Sequence, residues 1–320
     1  MRARLSLAMI CSCLLLATLS VIINGQERSS TPNFRREVAV TFDDLPATHG
    51  DLLKMRYITS KLLESLKRNN VPTIGFVNEG KLLVRDEADE RTALLRQWLD
   101  AGYELGNHTY SHVSVDQLPF VAYKEDLIRG EAVTKVLLRE QGLSLKYFRH
   151  PQLRTGPTPE YKKALDNLLA ERGYTIAPVT IDNNDYIFAA VYARAKERND
   201  RELMNKIVRA YIPYMEQVFA HFEKLSVEFL GYEVKQTLLL HANELNADHL
   251  DELAQMMKKR GYRFISLSEA LKDKAYSLPD AQVKKGLSWL HRWMIAKGLE
   301  MRPEPLEPEF ITALFHSYRR

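Results

Sequence analysis

The run Val38-Ala39-Val40-Thr41-Phe42 is followed directly by two aspartates, Asp43 and Asp44. Its apolar, β-branched and aromatic side chains predict a buried strand. Two adjacent carboxylates at the end of such a strand repel each other unless a cation or a shared proton separates their roles. Taken alone, however, the pair is better explained as a turn or a helix cap. The role of the pair therefore depends on which side chains lie at the ends of the other strands.

Short apolar runs recur along the chain and alternate with longer segments of helical periodicity. This alternation predicts an α/β fold with a parallel sheet. We expect seven strands, at residues 37–42, 72–77, 103–106, 146–149, 174–181, 237–241 and 263–267. Apolar residues at three- and four-residue spacing predict helices at residues 52–68, 90–101, 120–140, 160–172, 200–229 and 247–259.

Length and composition exclude several classes of protein. The 320 residues are 45% hydrophobic and 27% charged, which is enough for one large domain or two ordinary ones and excludes a disordered chain. The formal charge is only +4 and no long basic run accompanies it, so nucleic acid is not expected as a partner. Both cysteines, Cys11 and Cys13, lie in the N-terminal segment, so cysteine-ligated metals and disulfides are excluded from the domain.

The N-terminal segment has the pattern of an export signal. Arg2 and Arg4 precede residues 5–26, which carry no charge and are rich in Leu, Ile, Ala and Val. This pattern predicts that residues 1–26 are a signal peptide or an N-terminal anchor, with cleavage favoured. We therefore expect a secreted or periplasmic protein, which contacts a membrane only if this segment remains as an uncleaved anchor.

Two histidines come after the third predicted strand, in Gly106-Asn107-His108-Thr109-Tyr110-Ser111-His112. A spacing of four places His108 and His112 on one face if a helical turn comes after the strand. Two imidazoles and one carboxylate are a sufficient set of ligands for a metal ion. The spacing also arises by chance, and the alternative is a pair of solvent-facing histidines.

Ionisable side chains also lie at or just after the ends of the fourth, fifth and sixth strands: Arg149, then Asp182 and Asp185, then His241. Singly, each is explained as a turn residue or a hydrogen-bonded core residue. Side chains at the carboxyl ends of parallel strands meet at one end of a barrel, however, and such side chains at five of the seven predicted strand ends are unlike chance. The combination indicates a hydrolase with one metal ion and a separate base and acid.

The order of these motifs resembles the polysaccharide deacetylases, also called the NodB-homology domain or carbohydrate esterase family 4. The resemblance is most specific at Thr41-Phe42-Asp43-Asp44 and at residues 106–112. It predicts a deacetylase domain over residues 34–272. Residues 273–320, which contain four prolines and one helical piece, are left as a C-terminal extension that packs onto the domain.

The resemblance implies a fold and a set of roles. The fold is a distorted parallel (β/α) barrel of about seven strands. Zinc or another divalent metal would be held by Asp44, His108 and His112. Asp43 would be the general base and His241 the general acid. Arg149 would orient Asp43, and Asp185 would orient His241 and favour its charged form.

The resemblance also implies an activity, namely hydrolysis of N-acetyl groups on N-acetylglucosamine-containing glycans. Such substrates include chitin-like oligomers, peptidoglycan and exopolysaccharide. The alternatives are an O-acetyl esterase of the acetylxylan type and an inactive glycan-binding protein.

Several residues depart from the family pattern. Leu45 replaces the glycine that is usual in the family, and Tyr186 replaces the usual tryptophan. His150 and Gln152 replace the usual residues on either side of Pro151. We expect all four to line the groove and to change the substrate rather than the reaction.

Overall fold

The strand that carries the two aspartates lies inside a parallel sheet. The computed structural model describes residues 36–318, so the predicted signal or anchor at residues 1–26 lies outside the described part. The seven strands are β1 (Arg36–Leu45), β2 (Thr73–Val77), β3 (Glu104–Asn107), β4 (Tyr147–Phe148), β5 (Thr175–Ile176), β6 (Gln236–His241) and β7 (Tyr262–Phe264). Each lies at a predicted position.

All strand pairs are parallel, in the order β5-β4-β3-β2-β1-β6, with β7 pairing with the start of β1. A further bridge joins Ile181, which lies after β5, to Leu238 of β6. This bridge brings the two ends of the sheet together. The fold is therefore the expected distorted (β/α) barrel.

Eleven α-helices are described, and they lie between and after the strands. They are α1 (Leu52–Asn69), α2 (Ala88–Asp100), α3 (Phe120–Arg129), α4 (Ala132–Glu140), α5 (Pro159–Glu171), α6 (Asp185–Glu197), α7 (Arg201–Leu230), α8 (Glu244–Lys259), α9 (Leu267–Ala270), α10 (Trp289–Ala296) and α11 (Glu309–Ser317). Within residues 36–318, every helix is too short or too polar to cross a membrane.

Two helical predictions were wrong in detail. The single helix expected at residues 120–140 is broken at Gly130 into α3 and α4. A Cβ atom at Gly130 would lie 2.6 Å from the carbonyl carbon of Thr109, so the lack of a side chain there lets the loop with the two histidines approach closely. Helix α6 was missed because the segment from Asp182 to Tyr186, which leads into it, has the composition of a turn.

An apolar core fills the space between the strands and the helices, and it includes residues of the C-terminal extension. Val38, Val40 and Phe42 of β1 are buried, and the Phe42 ring lies 5.8 Å from that of Trp98. In the extension, Trp289 and Trp293 are also buried, which agrees with a packing role. The described residues all belong to one compact unit. The division at Lys272 remains a prediction about domain organisation.

Candidate active site

The end of β1 directs both aspartates into one cavity. Adjacent side chains of a regular strand point to opposite faces. Asp44, however, has a left-handed backbone with φ of 73°, and the pairing of β1 with β2 shifts register between Phe42 and Leu45. Asp43 and Asp44 both line the cavity as a result.

Asp44, His108 and His112 come together as a possible metal site. One donor atom from each lies within 4.8 Å of the others, and Nε2 of His112 is 3.6 Å from Oδ1 of Asp44. The expected helical turn is absent. Residues 108–112 form a loop with positive φ at Thr109 (64°) and His112 (57°), and the Thr109 hydroxyl accepts a hydrogen bond from the His112 amide.

The donor atoms of this site fit a zinc ion. Nδ1 of His108 lies 2.8 Å from the Arg149 carbonyl oxygen, so it donates there and leaves the Nε2 lone pair free as a ligand. Burial lowers the pKa of His108 well below its usual range, which keeps the imidazole neutral. Oδ1 of Asp44 is buried and accepts no hydrogen bond within residues 36–318. One carboxylate and two neutral imidazoles are a common ligand set for catalytic zinc.

Lys81 lies beside this set and was not identified from the sequence. Its Nζ is 3.4 Å from Asp44 Oδ1 and 3.1 Å from the Asp44 carbonyl oxygen. Burial tends to raise the pKa of Asp44, but nearby positive charge, chiefly the Lys81 ammonium, outweighs it and holds that pKa well below its usual range. Lys81 lies shortly after β2, so the rule about strand ends would have found it if it had been applied to that strand.

Asp43 is held by a buried arginine. Nη1 of Arg149 lies 3.3 and 3.5 Å from the two Asp43 oxygens, while its other nitrogens donate to the Thr41 hydroxyl at 3.0 Å and the Ala177 carbonyl at 2.8 Å. These contacts fix the guanidinium plane. Burial raises the pKa of Asp43 to about 6, although Arg149 opposes the rise. At neutral pH the carboxylate is mostly ionised and is basic enough to accept a proton.

His241 forms a dyad with Asp185. Nδ1 of His241 lies 2.6 Å from Oδ1 of Asp185, and Oδ2 of Asp185 accepts bonds from the His241 amide at 2.9 Å and from Asn246 at 2.7 Å. Burial lowers the pKa of His241, but Asp185 outweighs it and raises that pKa to about 10. The structure therefore presents a protonated imidazole to the same cavity as Asp43 and Asp44.

The departures from the family pattern divide into two groups. Gln152 and Tyr186 line the cavity, as expected. Leu45 and His150 do not, and that expectation was wrong. Leu45 is buried against Gly75, where a Cβ atom would lie 1.7 Å from Leu45 Cδ1. His150 is buried with its ring 5.1 Å from Phe148 and 6.4 Å from Trp289.

The cavity has a volume of about 1200 Å³. It is larger than many small-molecule sites, which have volumes of about 300 to 1000 Å³. Beside the strand ends, it is lined by the small residues Ala189, Ala190 and Ala193 of α6 and by part of the C-terminal extension. This arrangement provides room for more than one sugar unit next to the metal ligands.

Comparison with known proteins supports the family resemblance. Residues 31–177 match the family model of polysaccharide deacetylases. That range contains Asp43, Asp44, His108, His112 and Arg149, whereas Asp185 and His241 lie beyond it. A peptidoglycan-N-acetylglucosamine deacetylase from Bacillus cereus is 28% identical over 160 residues, which are 49% of this chain and 49% of that protein. The chain thus matches about half the length of this curated relative.

Solved structures resemble the fold. A mutant of a carbohydrate esterase family 4 pseudoenzyme from Bacillus anthracis has a TM-score of 0.50 and 16% identity, over 75% of this chain and 68% of that chain. A family 4 carbohydrate esterase from Streptomyces lividans in complex with acetate has a TM-score of 0.46 and 21% identity, over 74% and 96% of the two chains.

Proposed function

Because this chain carries a polysaccharide deacetylase domain, we propose that it is a metal-dependent hydrolase that removes N-acetyl groups from N-acetylglucosamine units of a glycan. One observation carries the proposal. The three metal-ligand candidates, a carboxylate base and a protonated imidazole all face a single cavity. No member of the set needed for amide hydrolysis is replaced in this chain.

Asp44, His108 and His112 would hold the metal. A divalent ion such as zinc, when bound, lowers the pKa of a water molecule and polarises a carbonyl oxygen. Asp43 accepts a proton from the attacking water, and Arg149 keeps the carboxylate in the orientation that this transfer needs.

His241 completes the reaction as the general acid. Because Nδ1 is bound to Asp185, Nε2 is the nitrogen that donates a proton to the departing amine as the carbon–nitrogen bond breaks. The products are acetate and a free amino sugar, so the water supplies the oxygen and the protons that the two products require.

The dyad of His241 and Asp185 favours an amide over an ester substrate. An amine leaves only if it is protonated, whereas an alkoxide needs less help from an acid. A histidine whose pKa is raised to about 10 is protonated at neutral pH and so has a proton to donate. An O-acetyl esterase of the acetylxylan type is the second candidate, and the inactive glycan-binding alternative has no replaced residue to support it.

We also propose the substrate class and the compartment. The named activity of the Bacillus cereus relative supports a bacterial cell-wall glycan, with chitin-like oligomers and exopolysaccharide as related substrates. The uncharged run at residues 5–26 supports a secreted or periplasmic protein, or one that is anchored to the membrane through its N-terminus.

Acetate release tests the proposal. The zinc-supplied protein would be assayed on N-acetylglucosamine oligomers, peptidoglycan and acetylated xylan, with Asp43→Asn as the matched control. Release from the amino-sugar glycans that disappears in Asp43→Asn is the expected result. Release from xylan alone would indicate the esterase, and no release by a zinc-loaded protein would overturn the enzymatic proposal.

A further inference from the structure

The four residues that follow β2, Asn78 to Lys81, contact both segments that carry the metal-ligand candidates, and we call them the bracket loop. On one side, the Asn78 amide donates to the Leu45 carbonyl oxygen at 3.2 Å. Nζ of Lys81 donates to the Asp44 carbonyl oxygen at 3.1 Å. The loop thus binds two successive carbonyl groups at the end of β1.

On its other side, the bracket loop binds the segment of the two histidines. Nδ2 of Asn78 donates to the His108 carbonyl oxygen at 2.7 Å, and the Gly80 amide donates to the Tyr110 carbonyl oxygen at 2.9 Å. A Cβ atom at Gly80 would lie 2.7 Å from that Tyr110 oxygen, so the two backbones are in direct contact. The loop therefore joins the two ligand-bearing segments of the site.

The bracket loop is itself held by two helices. Glu79 is 1% exposed, and its carboxylate accepts hydrogen bonds from the amides of Val133 at 3.0 Å and Thr134 at 2.7 Å, at the start of α4. The Lys81 carbonyl oxygen accepts a hydrogen bond from Arg91 of α2 at 2.8 Å. Because the loop is fixed from outside the site, its hydrogen bonds can determine where the ligand segments lie.

Asp44 is the ligand candidate that most needs this support. Its φ of 73° is in the left-handed region, which is unfavourable for a residue with a side chain. This conformation directs the carboxylate into the cavity that Asp43 also lines. Nζ of Lys81 lies 3.1 Å from the Asp44 carbonyl oxygen and 3.4 Å from Oδ1. A single side chain thus contacts both the backbone and the carboxylate of Asp44.

The position of Lys81 indicates that it serves Asp44 rather than a substrate. Its side chain is only 24% exposed, so the ammonium has lost most of its hydration. Such a loss is unfavourable unless an anion compensates it, and Asp44 is that anion. Lys81 lies outside the set of residues that line the cavity.

We propose that the bracket loop positions the metal ligands, with Lys81 holding Asp44 and Asn78 holding His108 through their carbonyl oxygens. This inference rests on the proposed function, because it assumes that Asp44, His108 and His112 hold a metal ion. The charge of Lys81 alone repels a cation, so its removal alone would tighten metal binding. Weaker binding without Lys81 would therefore reflect lost positioning.

The zinc affinity of the protein, measured by competition with a chelator, tests the role of Lys81. Lys81→Met keeps an unbranched side chain of similar size but removes the donor. We expect the Kd for zinc to increase about tenfold or more, as for other residues that orient metal ligands. Zinc bound by Lys81→Met as tightly as by the native protein, or more tightly, would overturn the proposal.

The free energy of unfolding, measured with and without zinc, distinguishes positioning from general stability. A merely structural role would lower it equally in both states, whereas a positioning role reduces the increase that zinc produces. Lys162→Met is the matched control. Lys162 is a partly buried lysine that pairs with Asp166 at 2.7 Å and Asp280 at 3.1 Å, away from the cavity lining. Its substitution should leave the zinc-dependent increase unchanged.

Asn78→Ser provides an independent test, which decides the proposal if Lys81→Met does not fold. Asn78 is neutral, so its substitution removes the bond to the His108 carbonyl without changing the charge of the site. We again expect weaker zinc binding, and an unchanged affinity would overturn the role of the bracket loop. A native protein that binds no zinc would overturn the proposed function as well. Tight binding by the native protein that Lys81→Met retains would overturn this inference alone.

Discussion

The imidazole of His241 and the carboxylate of Asp185 are joined at 2.6 Å across 56 residues of sequence. His241 ends β6, whereas Asp185 begins α6 after the chain has crossed from β5 to β6. Asp185 also accepts a hydrogen bond from the backbone amide of His241. It therefore fixes both the orientation and the charge of the ring. An acid catalyst is thereby built from two elements whose positions depend on closure of the barrel.

Replacing Asp185 by asparagine should move the alkaline limb of activity to lower pH. The raised pKa of about 10 keeps His241 protonated up to that pH, and activity is lost as the pH rises through it. Without the carboxylate, burial still lowers the pKa, so the limb should fall toward or below about 6.5. We also expect kcat to decrease by about 100-fold. The measurement is kcat/KM from about pH 5 to about pH 11.

Asp182→Asn is the control for that experiment, because Asp182 is a buried acid of the same cavity that makes no hydrogen bond to the His241 ring. Its alkaline limb should stay close to that of the native protein. An unchanged limb in Asp185→Asn would contradict the role of the dyad.

Asparagine substitutions at the adjacent aspartates should have different effects. Asp43→Asn should retain one zinc per chain but lose about 10²- to 10⁴-fold in acetate release, because only the base is removed. Asp44→Asn should weaken zinc binding, since it replaces a charged ligand. Zinc content after dialysis, measured beside acetate release, distinguishes the two. Equal loss of zinc in both variants would show that Asp43 is a ligand rather than a base.

The sequence predicted the positions of the strands because a buried parallel strand is a short apolar run, and here these runs alternate with longer segments of helical periodicity. It predicted which side chains meet, since Asp43, His108, Arg149 and His241 all come directly after such runs. It did not predict the loop of His108 and His112, whose left-handed residues, Thr109 and His112, donate their backbone amides to Oδ1 of Asn107 and to the Thr109 hydroxyl. The contribution of the extension to the cavity depends on long-range packing, which leaves no local pattern.

Leu45 and Gly75 should behave as a coupled pair. The Leu45 side chain occupies the space beside Gly75, where a Cβ atom would lie 1.7 Å from Leu45 Cδ1. Gly75→Ala should therefore lower the free energy of unfolding by about 1 to 3 kcal/mol through overpacking. Leu45→Ala should lower it by about 2 to 5 kcal/mol by leaving a cavity.

The double variant tests the coupling of this pair. In Leu45→Ala/Gly75→Ala the new methyl group at residue 75 enters space that the leucine has vacated. We expect the double variant to be less destabilised than the sum of the single variants by at least about 1 kcal/mol, measured by urea denaturation. Simple additivity would mean that the neighbouring residues relax around each change independently.

Arg292→Met should destabilise the whole domain, because the extension folds with the barrel. The guanidinium is fully buried and donates to the carbonyls of Leu153 and Ala281 and to the Thr155 hydroxyl. Methionine fills similar space but leaves these acceptors without a donor. Each unsatisfied buried group costs about 1 to 3 kcal/mol, so the free energy of unfolding should fall by about 3 kcal/mol or more.

Urea denaturation of Arg292→Met and of a control, Arg302→Met, measures this effect. Arg302 belongs to the same extension but is exposed, so its substitution should change the free energy of unfolding by less than about 0.5 kcal/mol. Loss of stability in Arg292→Met should occur in a single transition, because its partners Leu153 and Thr155 lie in the loop after Arg149. A separate early transition of the extension, with the barrel unaffected, would instead mean that the wall of the cavity folds independently of the residues it faces.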